Sequence, residues 1–372
     1  MTCHFRWSVL SGRGLRISIM KMVMLSEVDV GRDNNLNLIR MLAASGVLIS
    51  HAWPISSGSI KNQPFAGILH GIDLGIICVS IFFAISGYLI AQSFDRDPNL
   101  KRFWISRIMR IFPALLIVLL ITALILAPLI TVADVKTVLR AAPEYIFRNF
   151  TLFSLEQYLP GVFKGNPVGG SINIPLWTLS HELVCYFFVT VLGLLGLLKT
   201  PRLMLLAWLA FIACYVLIIY FEPQSRLVAL AKLAFPFMVG VVFFVWREKI
   251  ILSWIIGCSL IALTAILYDS VIFREAFMLS LTYIIFLLAF LPGGKIRGYN
   301  RFGDYSYGIY IYAFPIQQLV AYAGVSNPFL NILYAFPLAL LCAILSWRII
   351  EKPSLGIAKK FKQRSRDLAA TK

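Results

Sequence analysis

Long apolar runs, separated by short polar loops, recur along the chain from about residue 35 to residue 350. Each run is close to the ~20 residues that a helix needs to cross a bilayer. Because the bilayer interior has no water to satisfy backbone groups, such runs are expected to be helices. Only 14% of the residues are charged, compared with ~25% in globular domains. The sequence therefore predicts an all-α integral membrane protein.

The apolar runs predict a bundle of about ten transmembrane helices. Lysine and arginine are concentrated in alternate loops and in the two terminal segments, which is typical of the cytoplasmic side of membrane proteins. Both termini are therefore predicted to be cytoplasmic. The net charge of +17 is then explained by the basic residues that set the membrane topology, and we expect no binding to nucleic acid. The predicted spans are 36–54, 71–94, 105–130, 175–198, 202–220, 227–246, 250–268, 272–291, 303–323 and 328–350.

The chain divides into three predicted parts. Residues 1–34 are expected to form a poorly ordered cytoplasmic extension, residues 35–353 the membrane domain, and residues 354–372 a basic cytoplasmic tail. The longest loop, about 131–174, mixes charged and aromatic residues, which indicates an amphipathic segment on the outer membrane surface. The six cysteines and four histidines are scattered, so neither a metal site nor a disulfide framework is expected.

Two ionisable residues, Arg40 and His51, lie within the first predicted span. Eleven residues make about three helical turns, so both side chains share one face and lie ~16 Å apart along it. Ionisable residues inside a membrane are costly and mark functional sites by default. With a cytoplasmic N-terminus, Arg40 is near the cytoplasmic surface and His51 lies in the outer half of the membrane.

Glu182, in the fourth predicted span, is expected at a depth similar to that of His51. A carboxylate at that depth can orient an imidazole that acts as a base. A structural ion pair, or two unrelated polar sites, would fit the sequence equally well.

Arg107 and Arg110, at the start of the third predicted span, share a face because they are three residues apart. They are either arginines that only set topology, or they join Arg40 to clamp a phosphorylated donor, since guanidinium groups match phosphate oxygens. Four further residues are candidates to line a site for an acceptor: Trp177, Tyr307, Tyr310 and Gln317.

Several motifs occur in a defined order between residues 35 and 353. Arg40 and His51 are separated by ten residues, and Arg107 and Arg110 form an Arg-x-x-Arg pattern. The remaining motifs are Phe82-Phe-Ala-Ile-Ser-Gly-Tyr-Leu-Ile90, Leu176-Trp-Thr-Leu-Ser-His-Glu182, Asp304-Tyr-Ser-Tyr-Gly-Ile-Tyr310 and Ser346-Trp-Arg-Ile-Ile-Glu-Lys-Pro353. This ordered set resembles acyltransferase family 3, the integral-membrane acyltransferases that include bacterial O-acetyltransferases of polysaccharides.

The resemblance implies a multi-pass protein of the bacterial inner membrane that takes acetyl groups from cytoplasmic acetyl-CoA. The implied acceptor is a sugar hydroxyl of an exported glycan or lipid-linked glycan, and polysaccharide-assembly proteins are implied as partners. His51 would be the catalytic imidazole, and Arg107 and Arg110 would contribute to the donor site. Acetyl-CoA is a substrate, and no bound cofactor is expected. The sequence departs from the family pattern at Asn37, where many members carry Asp, and at Phe314, where many carry His.

The expected function is thus an O-acetyltransferase in which His51 acts as a base or carries the acetyl group. Two alternatives remain open at this point. One is a proton-coupled transporter in which His51 and Glu182 relay protons. The other is an acyltransferase with a non-glycan acceptor.

Overall fold

All ten predicted spans are helical in the computed structural model, which describes residues 22–31, 33–221 and 226–370. Two of them are shorter helices of 13 and 17 residues, Trp254–Ile266 and Ser306–Tyr322. The prediction of an all-α membrane protein is therefore confirmed. In this part of the chain, eight helical segments are long and apolar enough to cross a membrane: Leu36–Ser57, Leu74–Arg96, Leu100–Ile130, Ile174–Leu194, Pro201–Phe221, Arg226–Val245, Phe273–Phe290 and Pro328–Ser365.

The described elements include fourteen α-helices and one pair of short strands. The helices are α1 Leu25–Val28, α2 Leu36–Ser57, α3 Leu74–Arg96, α4 Leu100–Ile121, α5 Ala127–Ile130, α6 Val135–Thr151, α7 Trp177–Leu194, α8 Pro201–Phe221, α9 Arg226–Val245, α10 Trp254–Ile266, α11 Phe273–Phe290, α12 Ser306–Tyr322, α13 Pro328–Ser346 and α14 Lys352–Ala370. The strands are β1 Val23–Met24 and β2 Ile251–Leu252, which pair antiparallel. Short 3-10 helices occupy Ile174–Leu176, Leu197–Lys199 and Gly294–Arg301, and π-helical turns occupy Thr122–Leu126 and Trp347–Glu351.

Contacts between the helices show that α2 and α3, α3 and α4, and α12 and α13 run antiparallel, so the bundle has two ends at which its loops lie. We call one of these the basic end, because its loops carry Arg96, Lys101, Lys199, Arg247 and Arg297. Both described chain termini lie at the basic end. That the basic end faces the cytoplasm stays a prediction from the distribution of charge.

Helices α3 and α9 cross with their backbones close together. A Cβ atom added to Gly87 would overlap the carbonyl group of Phe237, and one added to Gly240 would overlap that of Ala84. Small residues at such crossings allow transmembrane helices to pack closely. The glycine in the Phe82–Ile90 motif therefore has a packing role.

Part of the N-terminal extension, which we expected to be poorly ordered, has a defined structure. Leu25 is fully buried, and the Asp29 carboxylate accepts hydrogen bonds from the Tyr88 hydroxyl (2.6 Å) and the Gln92 side-chain amide (2.5 Å). Burial raises the pKa of Asp29, although the hydrogen bond from Tyr88 opposes this shift. Residues 1–21 lie outside the described part of the chain.

The long loop between α5 and α7 contains the amphipathic segment that the sequence indicated. Its helix, α6, buries Val138, Ala142 and Tyr145, whereas Lys136 and Glu144 are exposed. These apolar residues are three or four positions apart, so they form one face of the helix.

Candidate active site

Arg40 and His51 lie on the same face of α2, as the sequence predicts. Between them on this face are Ala44 and Val47, which are 1% and 3% exposed. At about 1.5 Å of rise per residue, the two functional candidates are ~16 Å apart along the helix. They therefore belong to two separate regions of the bundle.

Arg40 and Arg110 meet at one carboxylate, that of Asp304. Oδ2 of Asp304 lies 2.8 Å from Nη1 of Arg40 and 2.5 Å from Nη2 of Arg110. Its other oxygen accepts hydrogen bonds from the backbone N–H (3.3 Å) and the hydroxyl (2.5 Å) of Ser306, at the start of α12. Asp304 is only 8% exposed, so it joins three helices at a buried position.

A second carboxylate, that of Glu351, lies beside Arg110. Its Oε2 is 3.7 Å from Nη1 of Arg110, and its Oε1 accepts a hydrogen bond of 3.0 Å from the Ser346 hydroxyl. Glu351 is 1% exposed and ends the π-helical turn between α13 and α14. Turns of this kind are frequent at functional sites. Here the π-helical turn ends at Glu351, whose buried carboxylate lies beside Arg110.

Arg107 is held differently from the other two arginines. Its Nη2 donates to the Ser93 hydroxyl (2.8 Å), and the guanidinium lies over the rings of Phe103 and Tyr186. Its buried Nε has no hydrogen-bond partner. Across the described ranges, no carboxylate lies within ion-pair distance of Arg107.

The expected pairing of Glu182 with His51 is not formed. Glu182 accepts hydrogen bonds from the Tyr186 hydroxyl and from the Ser86 hydroxyl, the latter at 3.1 Å. Glu182 also lines two cavities, described below, that Arg40 lines as well. Depth in the membrane does not determine the direction of a side chain, and α7 turns Glu182 towards α3 and the arginines.

The surroundings of His51 contain a different carboxylate, Asp73. It lies close to this part of α2, because it accepts hydrogen bonds from the hydroxyl of Ser50, the residue before His51 (3.2 Å), and from the backbone N–H of Ile76 (3.0 Å). The second of these caps α3. Our sequence reasoning missed Asp73, although an aspartate directly before an apolar run is a recognisable N-cap signal.

An aromatic ring covers one side of His51. The rings of His51 and Phe314 make an edge contact with their centroids 5.4 Å apart. Nδ1 of His51 is buried without a hydrogen-bond partner, so this nitrogen is available to a substrate or a water molecule. Phe314 is the position at which the family pattern commonly has histidine, and it proves to be adjacent to His51.

Two cavities adjoin the arginines. The larger, of about 210 Å³, is lined by Arg107, Arg110 and Leu355 among others. The smaller, of about 40 Å³, extends between Phe82 and Tyr310. Both are lined by the same three residues, Arg40, Glu182 and Tyr307. These three residues therefore lie at the junction of the two cavities.

Aromatic side chains separate the smaller cavity from His51. The rings of Phe82 and Tyr310 are 6.0 Å apart, and Phe314, one turn further along α12, contacts His51. Aromatic rings therefore connect the lining of the smaller cavity to His51.

The remaining candidates divide into two groups. Tyr307 and Tyr310 line the cavities, and their hydroxyls donate to the carbonyl oxygens of Ile111 (2.8 Å) and Pro175 (2.9 Å). Trp177 instead contacts the ring of His181, with centroids 5.0 Å apart. Gln317 is fully buried and donates hydrogen bonds to two groups, the carbonyl of Leu48 (2.9 Å) and the side chain of Asn331 (3.1 Å). Neither Trp177 nor Gln317 lines the two cavities.

Comparison with known proteins agrees with this arrangement. A family model described as an acyltransferase domain matches residues 33–350. The chain belongs to acyltransferase family 3. The match includes every residue discussed above in α2, α3, α4, α7 and α12, and it ends one residue before Glu351.

Three relatives are similar to this family member, and the names of two of them, the first and the third below, support an enzymatic role. An O-acetyl transferase of Shigella phage Sf6 is 27% identical over 86% of this chain and 96% of its own length. Nodulation protein 10 of Rhizobium leguminosarum bv. viciae is 31% identical over 45% of this chain and 46% of its own length. Acyltransferase MdmB of Streptomyces mycarofaciens is 26% identical over 40% of this chain and 38% of its own length. No solved structure matches the chain. The protein is thus a multi-pass membrane O-acyltransferase.

Proposed function

We propose that this acyltransferase transfers an acetyl group from cytoplasmic acetyl-CoA to a sugar hydroxyl of an exported or surface polysaccharide, in the bacterial inner membrane. The observation that carries the proposal is the separation of two sites along α2. An arginine-lined cavity lies towards the basic end, and a buried imidazole lies ~16 Å further along the same helix. The phage relative of nearly equal length, which is named an O-acetyl transferase, supports the choice of acetyl and hydroxyl groups.

In the proposed reaction, the oxygen of the sugar hydroxyl attacks the carbonyl carbon of the thioester. His51 accepts the hydroxyl proton, the bond between that carbon and the CoA sulfur breaks, and the proton leaves on the CoA thiol. In the second route that remains open, the imidazole nitrogen attacks the thioester carbon first, the bond from that carbon to the CoA sulfur breaks, and CoA leaves as a thiol with the proton of the imidazole. The sugar hydroxyl then attacks the acetyl-imidazole, the carbon–nitrogen bond breaks, and the hydroxyl proton passes to the imidazole. Both routes need one free imidazole nitrogen, and the unpartnered Nδ1 of His51 meets this requirement.

In this proposal, the carboxylates have roles that differ from those that the sequence suggested. Asp73, which binds the neighbouring Ser50, stabilises by its charge the imidazolium that forms during proton transfer. Glu182 holds Ser86 and Tyr186 beside the larger cavity, so we assign it to the donor side. Arg107, which has no carboxylate partner among the described residues, contacts the pantetheine arm or the acyl group of the donor.

The test is acetyl transfer by the purified protein with His51→Ala. Loss of a general base or of a nucleophile is expected to lower kcat by about 10²- to 10⁴-fold. His181→Ala is the matched control, because His181 is also a histidine within a span but contacts Trp177 and lines neither cavity. Full acetyl transfer by the His51→Ala protein would refute the assignment.

The acceptor can be identified independently of the catalytic residue. Mass spectrometry of surface glycans from cells with and without the gene should show a difference of one acetyl group per modified sugar. Unchanged glycans would favour a non-glycan acceptor. Substrate flux in vesicles without acetyl-CoA would favour the transporter instead.

A further inference from the structure

The charges around the larger cavity balance. Three guanidinium groups, those of Arg40, Arg107 and Arg110, line it. Three carboxylates accompany them: Glu182 also lines it, and Asp304 and Glu351 lie within ion-pair distance of the arginines. The arginines therefore leave little uncompensated positive charge for a phosphorylated ligand. A phosphate clamp made by these arginines alone, which the sequence suggested, would compete with carboxylates already in place.

The size of the cavity leads to the same conclusion. Its volume of about 210 Å³ is below the ~300–1,000 Å³ of pockets that enclose a drug-sized ligand. Coenzyme A is larger than such ligands, and its charge lies on the phosphates of its nucleotide half. The pantetheine arm is narrow and uncharged. A cavity of this size and charge suits the arm and not the nucleotide.

Exposed cations lie near the place where the cavity meets α14. Leu355 of α14 lines the cavity, and Lys352 and Lys359 are three and four residues away from it, on the same side of the helix. Arg96 is one turn beyond Ser93, the residue that binds Arg107. All three cations are exposed, and within the described ranges none of them forms an ion pair or hydrogen bond. We call Arg96, Lys352 and Lys359 the basic mouth.

We propose that the phosphorylated half of the acyl-CoA donor binds outside the membrane bundle, on the basic mouth, while only the acylated pantetheine arm enters the larger cavity. This assignment rests on the proposed function, because it takes acyl-CoA as the donor. It gives α14 a role in donor recognition, since this helix supplies both a cavity-lining side chain and two of the three cations. The phosphates remain near water, where their desolvation costs little.

The experiment compares two donors that differ in their phosphates, acetyl-CoA and acetyl-pantetheine. With the double substitution Lys352→Gln and Lys359→Gln, KM for acetyl-CoA should rise about 5-fold for each lost charge pair and roughly 25-fold together. KM for acetyl-pantetheine and kcat for both donors should stay at wild-type values. Arg96→Gln is an independent variant with the same expected pattern. Added salt should raise the wild-type KM for acetyl-CoA alone, because exposed charge pairs are screened.

Two controls make the outcome specific. Lys360 is also exposed on α14 but points about 140° away from Leu355, so Lys360→Gln should leave both KM values unchanged. Arg107→Ala should raise KM for both donors, since Arg107 lines the cavity that takes the shared arm.

Each result decides between the assignments. An unchanged KM for acetyl-CoA in the double variant, or an equal rise of KM for both donors, would refute donor binding at the basic mouth. The proposed function would not be affected by either result. If the wild-type protein transfers acetyl from neither donor, the proposed donor is refuted, and so is donor binding at the basic mouth.

Discussion

The arginine cluster depends on Asp304, and the substitution Asp304→Asn tests this dependence. The carboxylate binds Arg40 and Arg110 at 2.8 and 2.5 Å, and it is 8% exposed. Asparagine has nearly the same shape, so the substitution removes charge without opening a cavity. Three guanidinium groups would then face two carboxylates, those of Glu182 and Glu351.

The expected loss of stability follows from these contacts. Hydrogen bonds to charged groups contribute about 1.5–3 kcal/mol each, and asparagine still offers one neutral oxygen to the two arginines. Breaking a buried ion pair costs about 3–5 kcal/mol when the remaining charge has no other partner, but Glu351 stays near Arg110. We therefore expect the free energy of unfolding to fall by about 2–3 kcal/mol. Acetyl transfer should fall as well, because Arg40 and Arg110 would lose the group that positions them.

The assay is thermal unfolding of the detergent-purified protein, with acetyl transfer measured on the same samples. Asp33→Asn is the matched control, because Asp33 binds Arg297 at 2.6 Å but is 72% exposed. Exposed ion pairs contribute about 0–1 kcal/mol, so this control should unfold near the wild-type temperature and retain activity. Equal unfolding temperatures for Asp304→Asn and Asp33→Asn would contradict the reasoning that burial makes the Asp304 contacts strong.

Two further predictions concern packing and pH. Gly87→Ala should lower the free energy of unfolding by about 1–3 kcal/mol, because the new methyl group would overlap the carbonyl of Phe237; Gly67→Ala, which has open space around it, should not. The pKa of Asp29 is raised above its ordinary value of 3.8, so the folded state binds a proton at Asp29 more readily than the unfolded state does. Wild-type stability relative to Asp29→Asn should therefore decrease as pH rises above about 4 through the raised pKa. Unfolding temperatures of both proteins across that range measure this difference, and a relative stability that increases with pH would count against it.

Much of the site's composition can be predicted from residue spacing alone. Arg40 and His51 share a face because eleven residues make about three turns of any helix. Arg107 and Arg110 share a face for the same reason, and family motifs mark these residues as a set. Spacing within one helix is a local property, so it does not depend on how the rest of the chain folds.

The partners of these residues could not be predicted in this way. The sequence suggested Glu182 as the carboxylate for His51, because both were expected at one depth. The rotation of α7 instead directs Glu182 to Ser86 and Tyr186, and the carboxylate near His51 is Asp73, which binds Ser50. Rotation about a helix axis depends on contacts with neighbouring helices, and these contacts join residues far apart in the chain.

The sequence by itself determined the membrane class, the helical segments and the polar residues that are candidates for the chemistry, because hydrophobic length and helical period are local properties. Only the tertiary structure decided that Asp304 and Glu351 neutralise two of the arginines, and that Phe314 contacts His51. Charge balance and cavity shape arise where helices from distant parts of the chain meet. The physical reason is that burying an ion requires a specific partner at short range, and packing between helices selects that partner.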